Sequence, residues 1–584
     1  MRRTRASMLV CSRCGHTEEP SIVPKSGSIL DYFPYKSKRE SQGAVLKRIE
    51  AESESKRFII IEAPVGFGKS AIAATLSRFL GSAHIVVATK QLQDQYAGDF
   101  GYPVVKGKSN FQCYVPTSTG RTLPCHRGRC EVDWSLKECP HYLTYDEHRE
   151  HKSGQCITTS KCEDLKDGNL CTYYEQKWHG FDAPITVYNY ALFLSELKYP
   201  NDVPKRKLLV CDEAHELERR LVGFAAFHLK KSDLKYYHDE LRSEDFIIPH
   251  LGVEDPFAWL DVLSDIREML KEYLEIHQEA DEAQYMEAVC KSRYEDINRF
   301  IDSLKDDWTN WVVNNVKVES AGSIEEITFQ PLSVRNSAAK IYESADRVVM
   351  MSATIFSIER FCDSLGIPPS ETSFIKVEDS TFPAEKRPIY SLNTGYLSRG
   401  SLNASLQDIA LTIDKIMSIH RDERGIIHTT SYFQARNIVQ RISEENRKRI
   451  LTTEGTFDKS ILLRMHGSNS DSVLISPSLY EGLDLKDDLS RFQIIVKVPY
   501  PDLSERRTKI MLEKDRTWYD LQTAQRLVQT YGRSVRSETD YAVTYVLDSN
   551  FTRFLREHKD LFPKYILEAI KDGQLPQAWS PPAR

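Results

Sequence analysis

Short, wholly apolar runs alternate with helically spaced stretches over much of the chain. Arg57-Phe58-Ile59-Ile60-Ile61 reads as one strand and Ala83-His84-Ile85-Val86-Val87-Ala88 as the next, while Thr89-Lys90-Gln91-Leu92-Gln93-Asp94-Gln95 opens a helix. Strands of this kind separated by helices predict a parallel α/β sheet. The rhythm breaks from about 107 to 182, where Cys, His, Lys and Gly replace apolar runs, and it resumes at Ile185-Thr186-Val187. Beyond His215 the spacing turns helical: Phe257, Leu260, Leu263, Ile266, Leu270 and Tyr273 form one stripe, and Tyr294, Ile297, Phe300, Ile301, Leu304 and Trp308 another. These predict a packed helical insertion. Sheet pattern returns at Arg347-Val348-Val349-Met350-Met351-Ser352-Ala353-Thr354, so the first α/β unit is assembled from separated pieces. A second unit begins near 385, with strands at Gly425–His428, Ser472–Ile475, Phe492–Val498 and Tyr541–Leu547. Two parallel-sheet units flanking one cleft are expected.

The chemistry sits where strands end. Ala63-Pro64-Val65-Gly66-Phe67-Gly68-Lys69-Ser70 follows the first strand, and Leu208-Leu209-Val210 leads into Cys211-Asp212-Glu213-Ala214-His215. Glycines let backbone N–H groups turn inward around phosphates, Lys69 brings a point charge to the terminal ones, and the Ser70 hydroxyl suits magnesium. Ala63 stands where the usual phosphate-loop pattern has its first glycine. Adjacent carboxylates at the second strand end place Asp212 near the metal and leave Glu213 to orient and deprotonate a water. The pair names the fuel as a nucleoside triphosphate.

With 584 residues, 41% of them hydrophobic, the chain is long enough for two to four domains. No apolar run approaches the roughly 20 residues of a membrane helix, and the basic start Met1-Arg2-Arg3-Thr4-Arg5 lacks the apolar segment of a signal peptide, so the cell interior is expected. The net charge of −6 gives no overall pull toward nucleic acid, which would have to be held in a local basic groove. Seven of the twelve cysteines fall between Cys113 and Cys171, a clustering that asks for a metal in an intracellular protein.

Further polar segments at strand ends are Ser352-Ala353-Thr354, Tyr480-Glu481-Gly482-Leu483-Asp484 and Gln529-Thr530-Tyr531-Gly532-Arg533-Ser534-Val535-Arg536. In this order, after the phosphate loop and Asp-Glu-Ala-His, the set resembles the motifs of superfamily-two helicases from about Tyr35 to Phe551. Lys106-Gly107-Lys108-Ser109-Asn110-Phe111-Gln112-Cys113, Cys171-Thr172-Tyr173-Tyr174 and Ala183-Pro184-Ile185-Thr186-Val187-Tyr188-Asn189-Tyr190 look like segments of the XPD and DinG iron-sulfur helicases. The resemblance implies two RecA-like motor domains: the first from 26–106, 183–220 and 335–384, the second from 385–575. It implies a cluster domain at 107–182 and a mainly helical arch at 221–334, leaving a 1–25 segment at the start.

The same resemblance implies ATP and magnesium at Ala63, Gly66, Gly68, Lys69, Ser70 and Asp212, with Glu213 on the attacking water. His215 would couple that site to DNA, Arg533 and Arg536 would be arginine fingers, and Gln529 would line the cleft beside them. Glu481, Gly482 and Asp484 would link nucleotide state to strand grip. Arg39 and Gln42 resemble an adenine-side motif, with a basic amphipathic helix start as the other reading. Movement 5′ to 3′ on single-stranded DNA and at duplex junctions is implied, with Thr89, Lys90 and Gln91 as candidate contacts. A monomer is expected, cytoplasmic in a prokaryote or nuclear in a eukaryote. The contrasting reading is a nucleic-acid-stimulated ATPase that remodels or scaffolds without unwinding.

A four-iron, four-sulfur cluster needs four thiolates, and seven are on offer. Family-like flanks select Cys113 and Cys171; proximity to Cys171 favours Cys156 and Cys162. The rival middle pair is Cys125 and Cys130, and Cys125, Cys130, Cys139 and His141 have the ligand types of a separate zinc site. Cys11-Ser12-Arg13-Cys14-Gly15-His16 is half of a zinc ribbon.

Overall fold

The computed structural model describes residues 9–10, 17–18 and most of 27–576. Outside the described residues lie, among others, 129–138, 154–169, 231–252, 478–484, Arg533 and 535–539. After a short antiparallel hairpin of β1 (Leu9–Val10) and β2 (Thr17–Glu18), the first large sheet takes β3 (Phe58–Glu62), β4 (Ala83–Val87), β5 (Ile185–Asn189) and β6 (Arg206–Asp212). The insertion contributes β7 (Phe227–Lys230), β8 (Trp311–Val318) and β9 (Ile324–Pro331). β10 (Ala345–Ser352) and β11 (Thr372–Lys376) complete the first sheet, whose order is β11-β3-β10-β6-β4-β5, all parallel.

The second large sheet holds β12 (Ile389–Gly395), β13 (Gly425–His428), β14 (Ile450–Thr452), β15 (Val473–Ser476), β16 (Phe492–Ile495), β17 (Val543–Asp548) and β18 (Ile570–Asp572). Its order is β14-β15-β13-β16-β17-β12-β18, again parallel throughout. The all-apolar strands of the sequence follow from this construction. A parallel sheet is covered on both faces, so successive residues feed opposite cores: Phe58 and Ile60 join one cluster, Ile59 and Ile61 the other.

Register then sets the site. β10 lies between β3 and β6, pairing Ser352 with Glu62 and Met351 with Asp212. The residues after β3, β6 and β10 therefore emerge together at the carboxyl edge, where open α/β sheets bind ligands.

The insertion differs from its spacing. The helices Leu260–Ile276 and Gln284–Asp306 bury most of their predicted stripes, though Phe257 and Trp308 at the stripe ends lie outside them and are exposed. Both helices pack on the three-stranded antiparallel sheet β7-β9-β8, with Phe227 stacked on Phe300. The long hairpin β8-β9 was not legible because the polar Asn314 and Asn315 interrupt its apolar run. The cysteine-rich stretch also owns more core than its composition suggests: the helix Thr172–Asp182 sends Tyr173, Tyr174, Trp178 and Phe181 into the cluster beneath the first sheet.

Candidate nucleotide site and cysteine pocket

The phosphate loop is a strand-to-helix turn with φ of +78° at Gly66 and +91° at Gly68, after which α2 (Lys69–Leu80) begins. The left-handed backbone explains both glycines. Contacts add a second reason: a methyl on Gly66 would fall 1.9 Å from the Phe382 ring, and one on Gly68 would fall 2.4 Å from Gln42 Nε2. Ala63 needs no such freedom. Its N–H bonds the Ser352 carbonyl at 2.9 Å and its methyl is fully buried, so alanine serves where the pattern expects glycine. Lys69 Nζ donates to the Ala63 carbonyl at 3.2 Å, across the loop it would serve.

Arg39 and Gln42 brace this loop. Gln42 closes half of a capping box at the start of α1 (Glu40–Glu52), accepting from the Arg39 N–H, and Arg39 Nη1 reaches the Gly66 carbonyl at 2.8 Å. Gln42 is buried, with Nε2 donating to the Phe67 carbonyl at 2.8 Å and Oε1 accepting from the Arg39 N–H at 2.9 Å. Both ends of the Gln42 amide are thus engaged by protein, and the pair supports the shape of the phosphate loop.

Asp212 is buried at the end of β6. Tyr96 OH donates to its Oδ2 at 2.9 Å and the Glu213 N–H to its Oδ1 at 3.0 Å. Burial, with the Glu213 charge beside it, raises its carboxyl above the ordinary range, and Lys69 opposes that rise. Glu213 itself holds φ +54°, a left-handed conformation uncommon for a non-glycine residue and the kind of strain that gathers at functional sites.

A polar chain runs from here across the cleft. His215 Nδ1 lies 2.9 Å from Ser352 Oγ, and Ser352 Oγ lies 3.4 Å from Thr354 Oγ1. Gln529 Nε2, on the helix Arg516–Tyr531 beside the second sheet, donates to Thr354 Oγ1 at 2.9 Å. Gln525, one turn earlier on the same face, donates to the Thr354 carbonyl at 2.9 Å. At the end of that helix Gly532 approaches so closely that a methyl there would sit 3.1 Å from Val65 of the phosphate loop. The predicted residues Arg533, Arg536, Glu481, Gly482 and Asp484 lie outside the described residues.

Four cysteines line one small cavity: Cys113, Cys125, Cys139 and Cys171. Short-range backbone bonds hold them there. Cys113 N–H bonds the Leu123 carbonyl, Cys125 N–H the Phe111 carbonyl, and Cys171 N–H the His141 carbonyl, each at 2.8 Å. Gly128 must be glycine, since a methyl on it would fall 2.9 Å from Cys113 Sγ. Burial raises the Cys139 thiol, and its neighbours Cys171 and Cys113 raise it further, the repulsion expected of thiols facing one small space. Among the described residues, no three Cys, His, Asp or Glu side chains are close enough for a single metal ion. A multi-iron cluster spreads its thiolates wider than one ion does, and the all-cysteine donor set fits it. The expected middle pair Cys156 and Cys162, the rival Cys130 and the amino-terminal Cys11 and Cys14 all lie outside the described residues.

The helicase C-terminal domain family matches residues 413–569 and the DEAD_2 family residues 115–234. A probable ATP-dependent helicase of Methanocaldococcus jannaschii is 21% identical over 92% of this chain and 96% of its own. The ATP-dependent DNA helicase YoaA of Haemophilus influenzae is 23% identical over 94% and 96%. Together these matches support an XPD/DinG-type helicase of superfamily two. The fold agrees: a structure titled XPD helicase superposes with a TM-score of 0.61 at 16% identity, covering 92% of this chain and all of that one. The Xpd4 structure from S. tokodaii gives 0.53 at 14% identity, with the same coverage.

Two site residues of this XPD/DinG-type chain escaped the sequence reading. Tyr96 and Gln525 are polar-tipped residues on buried helix faces, and each had a faint signal. Tyr96 shares with Gln93 the inward stripe of α3 (Lys90–Phe100), and Gln525 precedes Gln529 by one helical turn. Among the described residues no helix is long and apolar enough to cross a membrane.

Proposed function

We propose that this chain is an ATP-dependent DNA helicase that moves 5′ to 3′ along single-stranded DNA. The observation that carries the reading is the unbroken polar chain from His215 through Ser352 and Thr354 to Gln529, which ties the carboxylate end of one sheet to a helix of the other. Hydrolysis that alters the phosphate site would thereby shift one motor unit against the other.

In the proposed mechanism the Gly66–Ser70 loop wraps the phosphates, Lys69 leaves the Ala63 carbonyl for the terminal ones, and Glu213 takes the proton of the attacking water. Ser70 and Asp212 would hold magnesium, which when bound offsets charge on the leaving phosphates. Arg533 and Arg536 would reach the transferring group from the second unit. Thr89 and Lys90, at the start of α3 on the same carboxyl edge, would grip phosphates of the strand without reading its sequence. Cys113, Cys125, Cys139 and Cys171 are the proposed ligands of a four-iron, four-sulfur cluster, a set that replaces Cys156 and Cys162 as the middle pair. A bound cluster would cross-link loops otherwise joined by a few backbone bonds, making the stretch around it stiff enough to part a duplex.

Strand displacement on substrates with a 5′ or a 3′ overhang tests the reading, and unwinding from the 5′ overhang alone is expected. Unwinding only from the 3′ overhang would overturn the polarity. DNA-stimulated hydrolysis with no unwinding of either substrate would instead favour a remodelling ATPase.

A further inference from the structure

Tyr96 is fully buried on α3, and its position is fixed from both sides. Gln93, one turn earlier and also fully buried, donates through Nε2 to the Val105 carbonyl at 3.0 Å and accepts from Asn189 Nδ2 at 3.3 Å, which seats the helix on the sheet. The Tyr96 hydroxyl donates to Asp212 Oδ2 at 2.9 Å, at the end of β6.

A phenol has a single proton to give. That proton is committed to Asp212. At the carboxylate, Oδ2 is occupied by Tyr96 and Oδ1 by the Glu213 N–H, which fixes the plane of the group. Asp212 is one of the two side chains that would hold magnesium.

We propose that Tyr96 is a positioning residue for the magnesium of the nucleotide site, donating its one proton to Asp212 and so fixing that carboxylate before the ion arrives. The inference rests on the ATP reading and names a residue that the phosphate-loop and Asp-Glu-Ala-His patterns do not contain. Partners that orient metal ligands in this way typically change metal affinity by 10–100-fold when lost.

The test is Tyr96→Phe, which keeps the ring and removes the oxygen. A fluorescent ATP analogue is titrated onto the protein without magnesium and then at graded magnesium, with no turnover needed. The variant should bind the magnesium-free analogue like the wild type while needing about tenfold more magnesium to reach the tight complex. Tyr190→Phe is the control. Its hydroxyl is equally buried but donates to the Asp212 backbone carbonyl at 3.0 Å, so magnesium dependence should not change. Thermal unfolding without nucleotide should leave both variants near the wild-type midpoint. An unchanged magnesium requirement in Tyr96→Phe, or an equal loss in Tyr190→Phe, would overturn the proposal. If the wild type itself showed no magnesium-dependent nucleotide binding, the ATP reading would fall rather than the role of Tyr96.

Discussion

The nucleotide site and the cysteine pocket each gather side chains from distant parts of the chain, but they are held by different means. Glu62, Asp212 and Ser352 stand together because β3, β6 and β10 are paired in register along their length and both faces of the sheet are filled. That arrangement exists whether or not a ligand is bound. The four cysteines sit on loops joined by a few backbone bonds, beside one aromatic helix. What they face is a cavity, and thiols crowded around a cavity repel once ionised. The first site is built by the fold; the second, on the proposed cluster reading, would lean on what it binds.

Lys69→Ala should have the largest effect. Removing the one cation of the loop is expected to lower single-strand-stimulated hydrolysis by about a hundredfold or more, with unwinding lost alongside it, while the fold survives in the circular dichroism spectrum. Normal hydrolysis would mean the phosphate loop had been misread. Cys125→Ser and Cys156→Ser separate the two ligand sets next. Iron content and visible absorption of anaerobically purified protein should collapse for Cys125→Ser and persist for Cys156→Ser; the reverse would restore the sequence-based set. In Cys113→Ser, hydrolysis should survive in part while unwinding fails. Chelating the iron should speed hydrogen exchange near Cys113 and Cys171 and leave β3 and β6 protected, and uniform exchange would erase the contrast.

A pH effect on the first sheet comes third in size. His84 in β4 is wholly buried between Tyr188 and Phe193, and burial pushes its imidazole down to about 3 from 6.5. The unfolded chain therefore binds the proton first, so stability is full above about 6.5 and drains as pH falls toward 3. Between pH 7 and pH 5 the loss should be about 2 kcal/mol, and the unfolding midpoint of His84→Asn should be less sensitive over that range. Equal slopes would remove His84 from the account. Gln525→Ala is the mildest case: losing one interdomain hydrogen bond of about 1 kcal/mol should cut turnover roughly fivefold, with nucleotide affinity little changed.

Legibility followed the same division. Lys69, Ser70, Asp212, Glu213 and His215 could be read because each lies within a few residues of an apolar strand, and strand ends are local facts. The fold class could be read for the same reason. Arg39 and Gln42 were located, but their partner was not: only the folded chain shows the Gln42 amide spent on the phosphate-loop carbonyl of Phe67 and on Arg39. The β7-β9-β8 sheet stayed hidden because antiparallel pairing across the long insertion leaves no mark in helical spacing.

By itself, then, the sequence determined the two parallel-sheet units, the order of their motifs and the use of a nucleoside triphosphate, since these depend on period and on residues adjacent in the chain. Only the tertiary structure decided which described cysteines share a cavity, that Tyr96 reaches Asp212, and that Gln525 and Gln529 both hold Thr354. Those are contacts across many residues of separation. They depend on loop paths and strand register, which no local pattern encodes.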